Sequence, residues 1–265
     1  MKIAIVGAGN LGLSIAKGLL SSNVITSLYL TKRHINALEG FKSNKKVIIT
    51  SDNALAIKNS DILIFAVQPN HLAAVLRKNV QYITAKHTLI STITGFSIEK
   101  IEAIIGEKTS VIRAMPNTAI AVGKSMTCIS SNEKSQLKLN TAIKIFDLLG
   151  KTIVIPEKQI QAATVVCASG IAFWMRLIRA TTQAAIQLGF DAKIAQELAM
   201  YTAEGAASLL ITTGNHPEQE IDKVTTPKGC TIEGLNEMEH QGLSSSLIRG
   251  MVASFEKIEG IKKLS

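Results

Sequence analysis

The apolar positions of this chain keep one rhythm up to about residue 156 and another after it. In the first stretch, short runs rich in Ile, Val and Leu alternate with segments whose apolar residues recur at helical spacing. Ile3, Ile5 and Val6 form the first run, and Leu11, Ile15 and Leu19 lie on one face of the helix predicted to follow it. Further strands are predicted at Ser27–Leu30, Val47–Thr50, Asp61–Val67, Leu89–Thr94, Val111–Arg113 and Ser125–Ile129. Between them fall a short helix around Asp52–Lys58 and one through Leu72, Val75 and Leu76. A third, entered through Ser97 as N-cap, bears Ile98, Ile101, Ile104 and Ile105. Near-continuous apolar strands between helices indicate a sheet buried on both faces. The expected class is therefore α/β, a Rossmann-type doubly wound and largely parallel sheet.

From Glu133 onward the pattern turns helical. Leu137, Ile143, Ile145, Phe146 and Leu149 are expected to line one helix, closed by Gly150, before a last strand at Lys151–Ile155. Pro156 is a natural boundary. Beyond it come apolar helical stretches at Gln159–Leu188 (with a break at Ser169-Gly170), Asp191–Ile211, Ile232–His240 and Leu247–Ile261. This predicts two domains, residues 1–156 and an all-helical 157–265. There is no internal repeat or low-complexity segment. No apolar run is expected to reach the length of a membrane span, since Ala162–Met175 contains Thr164, Ser169 and Gly170 and stops at Arg176. A chain that begins with a core strand is also expected to carry no signal peptide.

The first strand runs into Gly7-x-Gly9-x-x-Gly12 and then a helix, the order a dinucleotide pyrophosphate requires. Gly7 permits the turn, Gly9 lets phosphates approach the backbone, and Gly12 lets the helix pack on the sheet. The N–H groups around Asn10 and Leu11, at the positive end of the helix dipole, would face the phosphates. The second strand ends in Thr31-Lys32-Arg33, where NAD-specific sites usually hold a carboxylate. A hydroxyl and two cations suit a 2′-phosphate instead, which favours NADPH over NADH. Ligands in such sheets sit beyond the carboxyl ends of the strands. Ala66-Val67-Gln68-Pro69, Thr94 and Met115-Pro116-Asn117 lie at such ends and would wall the nicotinamide.

Composition narrows the class. The chain is 46% hydrophobic and 18% charged, which excludes a disordered protein. The net charge of +9 comes from scattered basic residues with one tryptophan and three tyrosines among them, a poor nucleic-acid surface but one that can steer small anions. Cys128, Cys167 and Cys230 have no metal-ligand spacing and suggest free thiols in a reducing cytoplasm. His34, His71, His87, His216 and His240 follow no ligand spacing either, and are expected at the surface or in turns.

Five segments occur in an order that resembles one family: Gly7-Ala-Gly-Asn-Leu-Gly12, Asp61–Pro69, Arg113-Ala-Met-Pro-Asn-Thr118, Ser169-Gly170 and Asp222-Lys-Val-Thr-Thr-Pro-Lys-Gly-Cys-Thr231. Over nearly its whole length the chain resembles pyrroline-5-carboxylate reductases. The resemblance implies a Rossmann domain, a helical dimerisation domain that interlocks with a second subunit, and a site shared between the two subunits. The implied reaction is hydride transfer to the C=N carbon of Δ1-pyrroline-5-carboxylate, giving L-proline, the last step of proline biosynthesis. A protonated cyclic imine is already electrophilic, so the enzyme has mainly to orient it. Gly229-Cys230-Thr231, opening a helix, would supply a backbone nest for the substrate carboxylate, and the Thr231 hydroxyl could act on the carboxylate or imine nitrogen. Met115 and Asn117 would face substrate as well as cofactor.

The chain departs from the family where Ala119, Ile171, Phe173 and Lys228 replace Pro, Pro, Tyr and Gly. Those changes leave room for another small cyclic imino acid as substrate. A β-hydroxyacid-type dehydrogenase shares the plan but needs a Lys or His base, and none lies between Gln159 and Phe190. A redox sensor that binds NADP without turnover would not need a carboxylate nest. The partners expected are the imino acid and a second copy of the chain, as a homodimer or larger, with no nucleic acid and no membrane.

Overall fold

The computed structural model describes residues 1–264, with side chains through residue 260. Eight strands form one sheet: β1 (Lys2–Val6), β2 (Ser27–Thr31), β3 (Val47–Thr50), β4 (Ile62–Phe65), β5 (Thr88–Ser91), β6 (Ser110–Met115), β7 (Ser125–Ser131) and β8 (Gly150–Val154). Their order is β3-β2-β1-β4-β5-β6-β7-β8. Every neighbouring pair is parallel except β6 and β7. The order reverses between β1 and β4, which opens a crevice at the carboxyl ends of these strands.

Alternation along the strands builds two cores. Ile3, Ile5, Ile62 and Ile64 pack on one face, with Ile15 and Leu19 of α1 (Asn10–Leu20) and Ile145 and Phe146 of α5 (Gln136–Asp147). Ala4, Val6, Leu63 and Phe65 point the other way, onto α2 (Asn53–Lys58), α3 (Pro69–Asn79) and α4 (Ile98–Ile105). The expected doubly wound class is the architecture found. Ser97 caps α4 by accepting from the Lys100 amide, and Asp52 caps α2.

Three local expectations are corrected. Leu137 is exposed, because the buried stripe of α5 is Leu139, Ala142, Ile145 and Phe146. Gly150 does not close that helix but opens β8, where its φ of 147° and the crowding of Ser125 backbone require glycine. The break at Ser169-Gly170 is absent. Helix α6 (Ile160–Ala163) passes through a π-helical turn (Thr164–Ser169) into α7 (Gly170–Gln187), and Gly170 is in the ordinary right-handed region. With Ile171 in place of proline there is a backbone N–H to carry the helix on.

The resulting helix, Glu157–Gln187, is long and apolar enough to cross a membrane by length and composition, contrary to expectation. Helices α8 (Ala192–Thr213), α9 (Pro217–Val224), α10 (Cys230–His240) and α11 (Leu243–Leu264) follow. The pattern missed α9, which has few apolar positions. Its start was nevertheless written in Pro217 at the first turn and in the His216/Gln219 capping box.

The chain divides into two compact units, Met1–Ile171 with Ser254–Ser265, and Ala172–Ala253. The second unit is thinly packed by itself. Among its described residues Thr182, Ala195, Ala199 and Glu220 are buried, whereas Trp174, Tyr201 and Ile211 are widely exposed.

Candidate functional site

A cleft of about 580 Å³ opens at the carboxyl ends of β1, β2 and β4 in the first unit. Its floor is the glycine turn. The amides of Gly7 and Ala8 donate to the Thr31 carbonyl at 3.3 and 2.8 Å, which pins the turn to the end of β2. Gly7 has φ 98°, and a Cβ there would lie 2.6–2.9 Å from Val67 and the Ala66 backbone. A Cβ on Gly12 would lie 2.5 Å from the Gly7 carbonyl, so α1 packs at glycine distance on the turn. Gly9 faces open space, leaving its backbone accessible to a ligand. It is also the N-cap of α1, with no side-chain cap and no acidic residue in the first turn. The free N–H groups and the dipole therefore point at an uncompensated end, which suits an anion.

The cationic tip lies at one side of the same cleft. Lys32 and Arg33 line it, and Arg33 Nη2 meets His71 Nε2 at 3.0 Å. A guanidinium only donates, so the His71 ring nitrogen is the acceptor in this contact. Lys78 adds a further cation, and the residues lining the cleft include no carboxylate. Thr31 is buried, and its hydroxyl accepts from the Gly7 amide at 3.4 Å, so it serves the turn more than the tip. Ala66, Val67 and Gln68 form the opposite wall.

The other predicted residues stand elsewhere. Asn10, Leu11 and Gly12 belong to the first turn of α1, and Pro69 is the first residue of α3. Thr94 reaches Met115, with its hydroxyl 3.9 Å from the sulfur. Met115 is buried with Cys128 and Ile160. Asn117 holds its loop together: its Oδ1 accepts from the Ala119 amide at 2.9 Å, and its Nδ2 donates to the Cys167 carbonyl at 3.1 Å. A proline at 119 would lack that first donor. Nearby, buried Arg113 donates to Glu157 Oε1 at 3.2 Å. Burial lowers the guanidinium pKa and Glu157 opposes the shift.

In the second unit Gly229 is the N-cap of α10, with Cys230 and Thr231 in its first turn. Gly229 therefore occupies the cap position. A Cβ on Gly229 would lie 2.9 Å from the Thr226 carbonyl and nearer still to the Thr226 hydroxyl. Lys228 is exposed with φ 61°, the one non-glycine residue at positive φ among those described.

Comparison with known proteins places these features in a family. The model for pyrroline-5-carboxylate reductase dimerisation matches residues 157–261, and that for coenzyme F420-dependent NADP oxidoreductase matches residues 2–95. Pyrroline-5-carboxylate reductase 1 of Dictyostelium discoideum is 45% identical over 96% of this chain, which spans about half (49%) of that relative's length. Pyrroline-5-carboxylate reductase 2 of the same organism is 40% identical, over 96% of this chain and 91% of its own. The chain belongs to the pyrroline-5-carboxylate reductase family. A crystal structure of Plasmodium falciparum pyrroline carboxylate reductase with NADP bound shares its fold, with TM-score 0.89 and 24% identity over 99% of this chain and 98% of that one.

Within this family plan, reading the sequence missed Ser51, Asn53, His71 and Lys78, all of which line the cleft. His71 carries no spacing signal, because it is brought to Arg33 only by the crossover from β4 to α3. His87, expected at the surface or in a turn, is in a turn but fully buried. Its Nδ1 accepts from the Thr84 amide at 2.9 Å, and burial lowers its pKa.

Proposed function

We propose that this protein reduces Δ1-pyrroline-5-carboxylate to L-proline with hydride from NADPH, as the last step of proline biosynthesis. The observation that carries the cofactor half is the cleft itself: an anion-ready helix end on its floor, cations at its tip and no carboxylate on its lining. When bound, NADPH supplies the hydride; the chain's residues do the positioning. Gly7 to Gly12 hold the pyrophosphate, and Lys32 and Arg33, with His71 beside them, hold the 2′-phosphate. NADH would fit the same floor while leaving the tip unused. Ala66 to Pro69, Thr94 and Asn117 form the wall for the nicotinamide, with Met115 buried behind Thr94.

In this reading residues 1–156 are the NADP-binding domain and residues 157–265 the dimerisation and substrate domain. The amides of Gly229, Cys230 and Thr231 bind the substrate carboxylate at the start of α10. The Thr231 hydroxyl bonds the carboxylate or the imine nitrogen and so orients the C=N carbon. Substrate protonation makes a strong acid on the enzyme unnecessary.

A second copy of the chain covers the apolar surface of the helices, including Trp174 and Ile211, so the working form is a homodimer or larger. Free Cys128, Cys167 and Cys230 fit a reducing cytoplasm. The decisive assay follows NADPH absorbance with racemic pyrroline-5-carboxylate, and with its six-membered homologue in parallel. Turnover of the five-membered imine is expected. Turnover of the larger ring alone would assign the substrate to another imino acid, and no turnover of either would overturn the reading. Light scattering at micromolar concentration should show a dimer or larger, and an active monomer would contradict the subunit assignment.

A further inference from the structure

Two cysteines 39 residues apart in sequence meet in the first unit. Cys128 on β7 and Cys167 in the π-helical turn have their sulfurs 3.8 Å apart. Cys128 is buried beside Met115 and Ile160, while Cys167 is half-buried. We propose that Cys128 and Cys167 form a peroxide-responsive dithiol, which closes to an intramolecular disulfide and thereby displaces the Asn117 loop.

The two thiols are unequal. Cys128 sits in apolar surroundings with its acidity suppressed by its hydrogen bond to the Cys167 sulfur and by burial, whereas the hydrogen bond from Cys128 brings Cys167 down to about 7. Cys167 is also the more accessible, so it is the attacking sulfur and Cys128 the resolving one. The Cys167 thiolate attacks one oxygen of hydrogen peroxide. The O–O bond breaks, the leaving hydroxide takes up the proton that Cys167 released on ionising and becomes water, and Cys167 becomes a sulfenic acid. Cys128 sulfur then attacks Cys167 sulfur. The S–S bond forms, the S–O bond breaks, and the hydroxide leaves as water with the Cys128 proton. The two thiols have lost two electrons and the peroxide has become two waters.

A disulfide requires the sulfurs to close by about 1.8 Å, from 3.8 Å to bonding distance. The backbone at Cys128 is held, because β7 is paired with β6 through Met115 and with β8 through Ile153. The π-helical turn is therefore the side that yields, and a π-turn inside an α-helix is a segment with an alternative hydrogen-bonding register close at hand. The Cys167 carbonyl is the acceptor for Asn117 Nδ2, so the shift pulls on the residue whose Oδ1 caps the Thr118–Val122 turn. The expected loss of activity rests on the proposed function, which puts Asn117 at the nicotinamide. Formation of the disulfide does not.

The test uses the full chain, treated with equimolar and then excess hydrogen peroxide, and mapped by non-reducing peptide mass spectrometry that reads Cys128, Cys167 and Cys230 separately. The expected result is a Cys128–Cys167 linked peptide at the lowest dose, with the intact mass lower by two hydrogens. Reductase activity should fall by at least about tenfold and return with dithiothreitol. In Cys128→Ser, Cys167 should persist as a sulfenic acid trapped by dimedone. In Cys167→Ser, Cys128 should remain reduced at the same dose. Oxidation confined to Cys230, or addition of oxygen without the link, would overturn the proposal. A complete link with unchanged activity would overturn the coupling to Asn117. A reduced chain that turns over neither imine would overturn the proposed function instead, while the thiol map would still decide the dithiol.

Discussion

Helices α1 and α10 both begin at a glycine N-cap with no side-chain cap, and the turns that lead into them are built differently. Before α1 the left-handed position is Gly7, walled by Val67 and Ala66 and tied by hydrogen bonds to the end of β2. Before α10 the left-handed position is Lys228, exposed to solvent. Where packed backbone surrounds the turn, a side chain is excluded by space as well as by torsion. At the exposed turn torsion alone opposes it, and a lysine is tolerated at a cost of about 1 kcal/mol. The first turn also lacks an acid beyond its cap, whereas α10 has Glu233 in its first turn. A polyanion meets no opposing charge at α1. A single carboxylate at α10 must outweigh one.

The comparison would break first at Gly7. Gly7→Ala should cost about 3 kcal/mol or more, from strained torsion and overpacking together, and should abolish measurable NADPH binding. Thermal unfolding and a fluorescence titration would show it, and a wild-type melting temperature would mean that the sheet-walled turn is no tighter than the exposed one.

Thr231→Ala acts on the other turn. Because Gly229 is the cap, losing the hydroxyl should leave the helix intact. Reductase kcat should fall by about a hundredfold, with Kd for NADPH within about twofold of wild type. A parallel loss of cofactor affinity would show that Thr231 is structural.

The tip of the first site is next in size. Arg33→Asp with Lys32→Ala should weaken NADPH by at least about tenfold, with a loss that shrinks as salt rises, and leave NADH within about threefold. Equal losses for the two cofactors would remove the 2′-phosphate assignment.

The smallest effect is expected at Lys228. Lys228→Gly should raise stability by about 0.5–1 kcal/mol by relieving the left-handed torsion. Lys228→Ala keeps the torsion and should not. If the ammonium faces the carboxylate nest, both variants should raise KM for the imino acid several-fold with kcat unchanged. Equal stability of the two variants would mean that the turn relaxes around any residue, and the contrast with Gly7 would lose its basis.

Much of the first unit was legible because its information is local. The near-continuous apolar runs at Ile3–Val6 and Ile62–Phe65, the cap at Ser97 and the glycine spacing are set by neighbours in sequence. They respond to backbone geometry that repeats every two or 3.6 residues. Ends were less legible: β4 stops at Phe65 and β5 at Ser91, short of the apolar runs that announced them. Such ends depend on when a neighbouring strand stops offering hydrogen bonds. The continuity of Glu157–Gln187 was hidden by Ser169-Gly170, which reads as a break yet keeps right-handed torsions.

Local order therefore determined the class of fold, the glycine cradle and the cationic tip, since each is a short stretch acting on itself. Tertiary structure alone decided the partners of those stretches. It brought His71 to Arg33 across a strand-to-helix crossover, Cys167 to Cys128 across 39 residues, and Asn117 to the carbonyl of a π-turn. It also put Lys228 at positive φ, which no property of lysine announces. Contacts between distant residues come from how the sheet and helices close on one another. No periodicity within a strand or helix can encode them.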